Sequence, residues 1–203
     1  MLNGYIHCPD AGGMQGGYSD AVMTSLVETA KRNKVNLIRI EGNFGDGMFT
    51  KLLQPFLKRV GYDVTIEEVK HTRQKELRII DVLEPVMNQH RLVMDRNAIL
   101  KDAETTKQYP VEQQLKRQLM YQISRITKDR GSLAFDDRLD ALAMAVSYWV
   151  ELMGQDEELK MAHRHAEILA AELELWQGEA ALSLDALMLG ASFDQAMQAA
   201  RES

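Results

Sequence analysis

Apolar positions along the chain recur in two rhythms, one near 3.6 residues and one near 2. Residues 2–12, LNGYIHCPDAG, read as a strand that runs into a glycine-rich turn, GGMQGG. Ser19 occupies an N-cap position before YSDAVMTSLVETAKRN, where Val22, Leu26, Val27 and Ala30 fall on one helical face. VNLIRIEGN (35–43) is a short, nearly continuous apolar run, the pattern of a strand covered on both faces. GDGMFTKLLQPFLKRVG reads as a second helix, bent or started late by Pro55 and closed by Gly61. DVTIEEV (63–69) alternates and is rich in β-branched residues, so it reads as a strand.

A helix follows over about 74–88, then RLVMD (91–95) as an edge strand. The region 111–127 is helical, with Leu115, Leu119, Tyr121, Ile123 and Ile126 at apolar positions. In the helix over about 136–152, Leu139, Leu142, Val146, Trp149 and Met153 form a stripe at three- and four-residue spacing. Gly154 separates it from an acidic helix over about 156–177, with Leu159, Ile168, Leu169, Leu173 and Trp176 as candidate buried positions. Residues 178–203 read as one or two short helices, and no repeat or low-complexity segment occurs. The strand–helix–strand–helix–strand order predicts an α/β fold whose sites form at the carboxyl ends of strands.

Composition narrows the class. At 203 residues, 45% hydrophobic and 27% charged, the chain can bury one good core with a small appendage. No stretch approaches the ~20 apolar residues of a membrane span, and MLNGYIHCPDAGG lacks the basic and apolar regions of a signal peptide. Cys8 is the single cysteine, which excludes an intrachain disulfide and any cysteine-based zinc site. The formal net charge of −6 hides an asymmetry. Residues 1–130 hold 20 Lys+Arg against 16 Asp+Glu, and residues 131–203 hold 4 against 14. The front can meet phosphate and the rear cannot, although a solvated acidic helix produces the same tail.

Candidate chemistry lies in carboxylates. Glu41 ends an apolar run and precedes GNFGDG. It is either a metal ligand on a rigid strand or a side chain emerging into solvent where the strand stops. Asp136 suits an N-cap, and Asp137 and Asp140, three apart, share a face in the first turn of the helix that follows. Two like charges there suit a hard cation such as magnesium or manganese, and equally suit the helix dipole. His163 and His165, two apart on a helix, face different ways and make no metal pair; GGMQGG lacks a phosphate fingerprint. The basic stretch of Lys70, Arg73, Lys75, Arg78, Arg91 and Arg96 is a candidate for phosphate contacts or a solvated face.

At these residues a resemblance enters. GGYSD (16–20), EGNFGDGMFTKLLQP (41–55), KELRIIDVLEPVMNQHRLV (75–93) and AFDDRLDALAMAV (134–146) resemble the nuclease domain of tailed-bacteriophage terminase large subunits. The similarity is to the branch of short-tailed phages, where the subunit is also called DNA maturase B. It covers about residues 2–152 in order. It implies a ribonuclease H-like (RuvC-like) mixed sheet flanked by helices over 1–152, followed by an acidic C-terminal helical extension over 153–203. It implies a metal-dependent endonuclease, cutting concatemeric DNA during packaging, with two Mg2+ or Mn2+ ions in the complete site. Glu41 matches the family's middle acid, Asp140 its helix acid, and Asp137 the second carboxylate of that motif. Lys75, Arg78, Arg73 and Arg91 are the expected DNA contacts. Implied partners are double-stranded DNA, the terminase ATPase domain, the portal and the small terminase subunit, in host cytoplasm and without a membrane.

Two departures qualify the match. Phe135 stands where the family motif has His. The family's first strand carries an Asp shortly before the segment matching LNGY, where this sequence has Met1, so that strand is expected to be missing. The ATPase motif GxxxxGK[ST] is absent too. The alternative reading is a non-catalytic DNA- or portal-binding module that retains the fold; a cellular Holliday-junction resolvase fits the loops less well. Asp10 and Asp46 are the other acids able to complete a site.

Overall fold

A computed structural model describes residues 4–42 and 47–188, without the side chains of 156, 157, 160 and 174–188. Asp46 and residues 189–203 lie outside the described residues. The elements, in order, are β1 (Ile6–Cys8), α1 (Asp20–Arg32), β2 (Leu37–Glu41), α2 (Met48–Arg59), β3 (Thr65–Val69), α3 (Lys75–Asn88), β4 (Leu92–Met94), α4 (Arg96–Glu104), α5 (Val111–Arg117), α6 (Leu119–Arg125) and α7 (Asp137–Met188). Residues 1–150 form one compact unit and 151–203 a second.

The strands pair in parallel, β1 with β4 and β2 with β3, in register Ile6 opposite Leu92 and Leu37 opposite Thr65. Parallel pairing follows from the helices between strands, because a short hairpin cannot reverse the direction twice. Among the described residues no ladder is antiparallel, unlike the expected mixed sheet, and each strand has one partner.

α1 begins where Ser19 caps it, accepting a hydrogen bond from the Val22 amide at 3.4 Å. α2 ends at Val60, followed by Gly61 at φ +58°, a left-handed position that suits glycine. Met23 and Val27 of α1 pack with Leu53 and Leu57 of α2, and Ile38 of β2 and Ile66 of β3 close the cluster from the sheet. At the other end of α1, Asp10 accepts from Lys101 at 2.6 and 2.7 Å, from Asn33 at 3.1 Å and from Arg32 at 3.3 Å. It ties the loop after β1 to α1 and α4.

Several expectations change. Gly154 does not separate two helices, because α7 runs through it: one glycine costs about 1 kcal/mol, too little to stop a helix flanked by strong helix formers. Leu159, Ile168, Leu169 and Leu173 are exposed, not buried, since no described element covers them; the Trp176 side chain lies outside the described set. In the stripe of α7, Leu139, Leu142, Val146 and Met153 are buried, as is Ala143, but Trp149 is 36% exposed. The 111–127 helix is two helices, broken where Gln118 turns to ψ 137°, with Leu115 exposed. The long strand at 2–12 shortens to Ile6–Cys8, and β2, expected to be covered on both faces, is half-buried along its length. α4 has no counterpart in the hydrophobic pattern, being short and polar.

Two outcomes follow. Leu53→Ala removes a fully buried side chain between α1 and α2, and chemical denaturation should show a loss of about 2–5 kcal/mol. Burial alone would raise the Asp10 carboxyl, but hydrogen bonds from Lys101, Asn33 and Arg32 hold it below its ordinary 3.8. A lowered pKa gives stability that is present above the unfolded value and lost as pH falls through the folded one. Asp10→Asn should therefore cost about 1 kcal/mol at pH 7 and flatten the loss of stability below about pH 4 in acid titration.

Candidate active site

β2 decides where Glu41 can point. Alternation along the strand puts Ile38 and Ile40 on one face and Leu37, Arg39 and Glu41 on the other. Ile38 faces the α1–α2 cluster. Arg39 faces α7: its Nη1 donates to the Met144 carbonyl at 3.1 Å and to Ser147 Oγ at 3.0 Å, while Nε meets Glu67 at 2.8 Å. Two residues further along the strand is Glu41, and one helical turn back from Met144 is Asp140.

Asp140 is 3% exposed. Its amide donates to the Asp136 carbonyl at 2.9 Å in the first turn of α7. Arg78 Nη2 of α3 lies 2.7 Å from Oδ1 and Lys75 Nζ 3.1 Å from Oδ2; Lys75 also donates to Asp136 at 2.9 Å. The Arg78 approach is a charge contact out of hydrogen-bonding line. Asp140 Oδ1 and Arg78 Nε consequently stay buried without a hydrogen-bond partner among the described residues, as does His71 Nε2. His71, just past β3, feels both acids: burial and then Arg78 push its imidazole below the ordinary 6.5, while Asp140 and Glu41 pull it up. Burial would lower the Lys75 ammonium, but Asp136 and Asp140 hold it above the ordinary 10.5.

Around Glu41 itself a small hollow is lined by Tyr18, Gly42, Phe49 and Glu68, with Tyr18 and Phe49 in an edge contact at 5.8 Å. Glu68 is engaged at the start of α2, accepting from the Gly47 amide and from Thr50 Oγ1 at 2.9 Å each. Asp137 is exposed and lines a different pocket, beside Gly13, Phe135 and Arg138. Of the expected DNA contacts, Lys75 and Arg78 sit on the acids as described. Arg73 is exposed and paired with Asp81 at 3.0 Å, and Arg91 donates to the Gly4 carbonyl at 2.7 Å. Asp10 is held by its own cations at the loop after β1.

Glu41 and Asp140 supply the oxygen donors that magnesium and manganese prefer, and the orphaned Asp140 Oδ1 has a lone pair to offer. Among the described residues, however, no three His, Cys, Asp or Glu side chains form a group that could hold an ion. What is present fits part of a metal site.

Other polar residues escaped the sequence patterns. Asp102 is 2% exposed, accepts from the Leu119 amide at 2.8 Å and binds Arg138 through both its carbonyl and its carboxylate. Gln122, also buried, accepts from the Leu139 amide at 2.9 Å. His71, Arg117 and Tyr109 carry no motif at all. Only the arginine directly after Asp137 could have drawn notice, as a cation inside an acidic first turn.

Residues 1–92 match the family described as Terminase Bacteriophage T7, Ribonuclease H-like domain. The terminase large subunit of Enterobacteria phage T3 is 40% identical over 173 residues, 85% of this chain. The chain spans 29% of that relative's length. Small parallel ladders with helices between them suit an α/β domain of this type. The chain is thus similar to a terminase large subunit over most of its length, and its residues 1–92 match the ribonuclease H-like domain family of T7-type terminases.

Proposed function

We propose that this chain is the nuclease part of a DNA-packaging terminase, a metal-dependent endonuclease that cuts concatemeric DNA. The observation that carries the reading is the placement of buried Asp140 in the first turn of α7, against the same helix that Arg39 of β2 hydrogen-bonds, with Glu41 at the carboxyl end of that strand. Two acids presented by rigid elements at a strand's carboxyl end suit hard-cation chemistry on a phosphodiester. Asp137, one turn before Ala141 on the exposed side, is the second carboxylate of the helix motif. Bound Mg2+ or Mn2+ would supply activated water and stabilisation of the leaving oxygen. The chain's own residues do the rest. Arg78 and Lys75 orient the Asp140 carboxylate, and their charge draws a phosphate toward it. Double-stranded DNA is the substrate, and the ATPase domain, portal and small subunit are the working partners in host cytoplasm. Among the described residues no helix is long and apolar enough to cross a membrane.

A complete two-ion site needs a further carboxylate, which the resemblance places on a strand preceding LNGY. The second ladder edges of β1 and β2 have no partner among the described residues, as an added strand would require. A second reading, a non-catalytic module that holds DNA or portal, is favoured by one fact: two cations already balance Asp140.

Supercoiled-plasmid nicking separates the two. The 203-residue chain alone should cut very poorly with either ion, and joining a preceding Asp-bearing segment should restore cutting. In that form Glu41→Gln or Asp140→Asn should reduce it by more than the ~10–100-fold typical of losing a ligand's supporting residue. In the chain as it stands, Glu41→Ala should remove manganese binding with the fold intact by circular dichroism. No cutting after the segment is supplied would leave the non-catalytic reading; strong cutting without it would mean that Asp10 or Asp46 completes the site.

The acidic rear makes a separate claim. Removing residues 156–203 should leave duplex affinity unchanged or raise it, because like charge departs. A clear loss in a titration would place the tail in the DNA groove.

A further inference from the structure

The pocket that Asp137 lines lies on another side of the first turn of α7 from buried Asp140. Gly13, Tyr109, Arg117, Phe135 and Arg138 join Asp137 there around a cavity of about 180 Å3. Two guanidinium groups dominate it. The Arg138 side chain is nine-tenths buried, with 9% exposure, and Asp102 clamps its Nη1. Its Nη2 is buried and has no hydrogen-bond partner among the described residues. Gly13 permits this approach: a Cβ on that residue would lie 2.9 Å from Arg138 Nη2.

Arg117 is held differently. Its Cζ lies 3.6 Å from the Phe135 ring centre and 4.1 Å from that of Tyr109, and its Nε and Nη2 reach only the neutral Gln113 Oε1, at 3.3 and 3.2 Å. Ring contacts occupy the flat faces of a guanidinium and leave its edge, where the N–H groups point, for an acceptor. No carboxylate among the described residues pairs with it. The geometry describes a preorganised fork with an uncompensated charge, beside an orphaned buried N–H. An oxyanion with several acceptor atoms satisfies both, and a tetrahedral phosphate fits the space. Asp137 at the rim opposes an anion, but it is exposed and therefore screened.

We infer that this pocket seats a backbone phosphate of the bound DNA strand, flanking the cleavage centre, with Arg117 as the principal contact. The inference rests on the DNA-cutting reading for its source of phosphate, and on the pocket alone for its chemistry. Phe135, which replaces the His of the family motif, acquires a role as the surface that orients Arg117.

The test measures binding rather than cutting, so the metal site does not enter. Affinity of the full chain for a fluorescent 20-base-pair duplex is measured in EDTA across salt concentrations. A parallel titration with inorganic phosphate is followed by the 15N–1H signals of arginine Nε. Arg117→Ala should weaken duplex binding about tenfold at low salt and reduce the salt slope by about 0.9, one phosphate contact. Arg117→Lys should recover little, because a point charge lacks the fork. Gly13→Ala, which crowds Arg138, should weaken binding as well. Asp137→Asn should strengthen it, an opposite sign that simple unfolding cannot produce. Arg125→Ala, which removes one exposed cation elsewhere, should change affinity much less. Phosphate that shifts the Arg117 signal while duplex affinity ignores Arg117→Ala would overturn DNA as the source and leave the cleavage reading standing. An unmoved Arg117 signal, or an equal loss in Arg125→Ala, would overturn the pocket as a phosphate site. Failure of the cleavage reading appears separately, in plasmid nicking.

Discussion

The start of α7 depends on a charge buried far from water. Asp102, on α4, is 2% exposed, and it accepts from the Leu119 amide of α6 and from Arg138 of α7. A carboxylate this deep is tolerable only with its lone pairs met, and removing one partner of such a pair typically costs about 3–5 kcal/mol. Three helices are thereby fixed to one side chain. Gln122 adds a further hold by accepting the Leu139 amide, one of the α7 amides that a helix start leaves unpaired. With its first turn held at both Arg138 and Leu139, α7 presents Asp137 and Asp140 in set directions, one outward and one inward.

The inward direction brings a second buried carboxylate against α3. Asp140 lies between Arg78 and Lys75, and Lys75 bridges on to Asp136. Both cations belong to the same face of α3, three residues apart, which is the spacing that lets a helix present two side chains together. This contact joins α3 to α7 by charge, while Arg39 joins β2 to α7 by hydrogen bonds to Met144 and Ser147. Glu41 then follows from strand parity. Two polar seams thereby align α7 with both α3 and β2.

Much of this was legible along the chain, and unevenly. The elements that carry strong periodicity, α1, β2, α2, β3 and α3, fall where their patterns put them, because apolar spacing reports a face that must be covered. The acidic helix after Gly154 shows the limit of that rule. Leu159, Leu169 and Leu173 have the spacing of a buried stripe and yet stand exposed, since spacing cannot say whether a neighbour exists. Short polar helices such as α4 are placed by Asp102, a buried carboxylate whose partners Leu119 and Arg138 are distant in sequence.

By itself the sequence determined which residues could do chemistry and which segments could form a core. Glu41 at the end of an apolar run, the FDDRLD turn and the family resemblance all rest on local order, and local order is what a sequence records. Which acids share an environment was decided only by tertiary structure. Asp137 and Asp140 look equivalent on the chain, three apart in one turn, yet one lines the Arg117 pocket and the other is buried against Arg78. Ions, guanidinium groups and amides pair across sequence separations such as the 36 residues between Asp102 and Arg138. Such pairings depend on how helices cross, and no spacing along the chain encodes them.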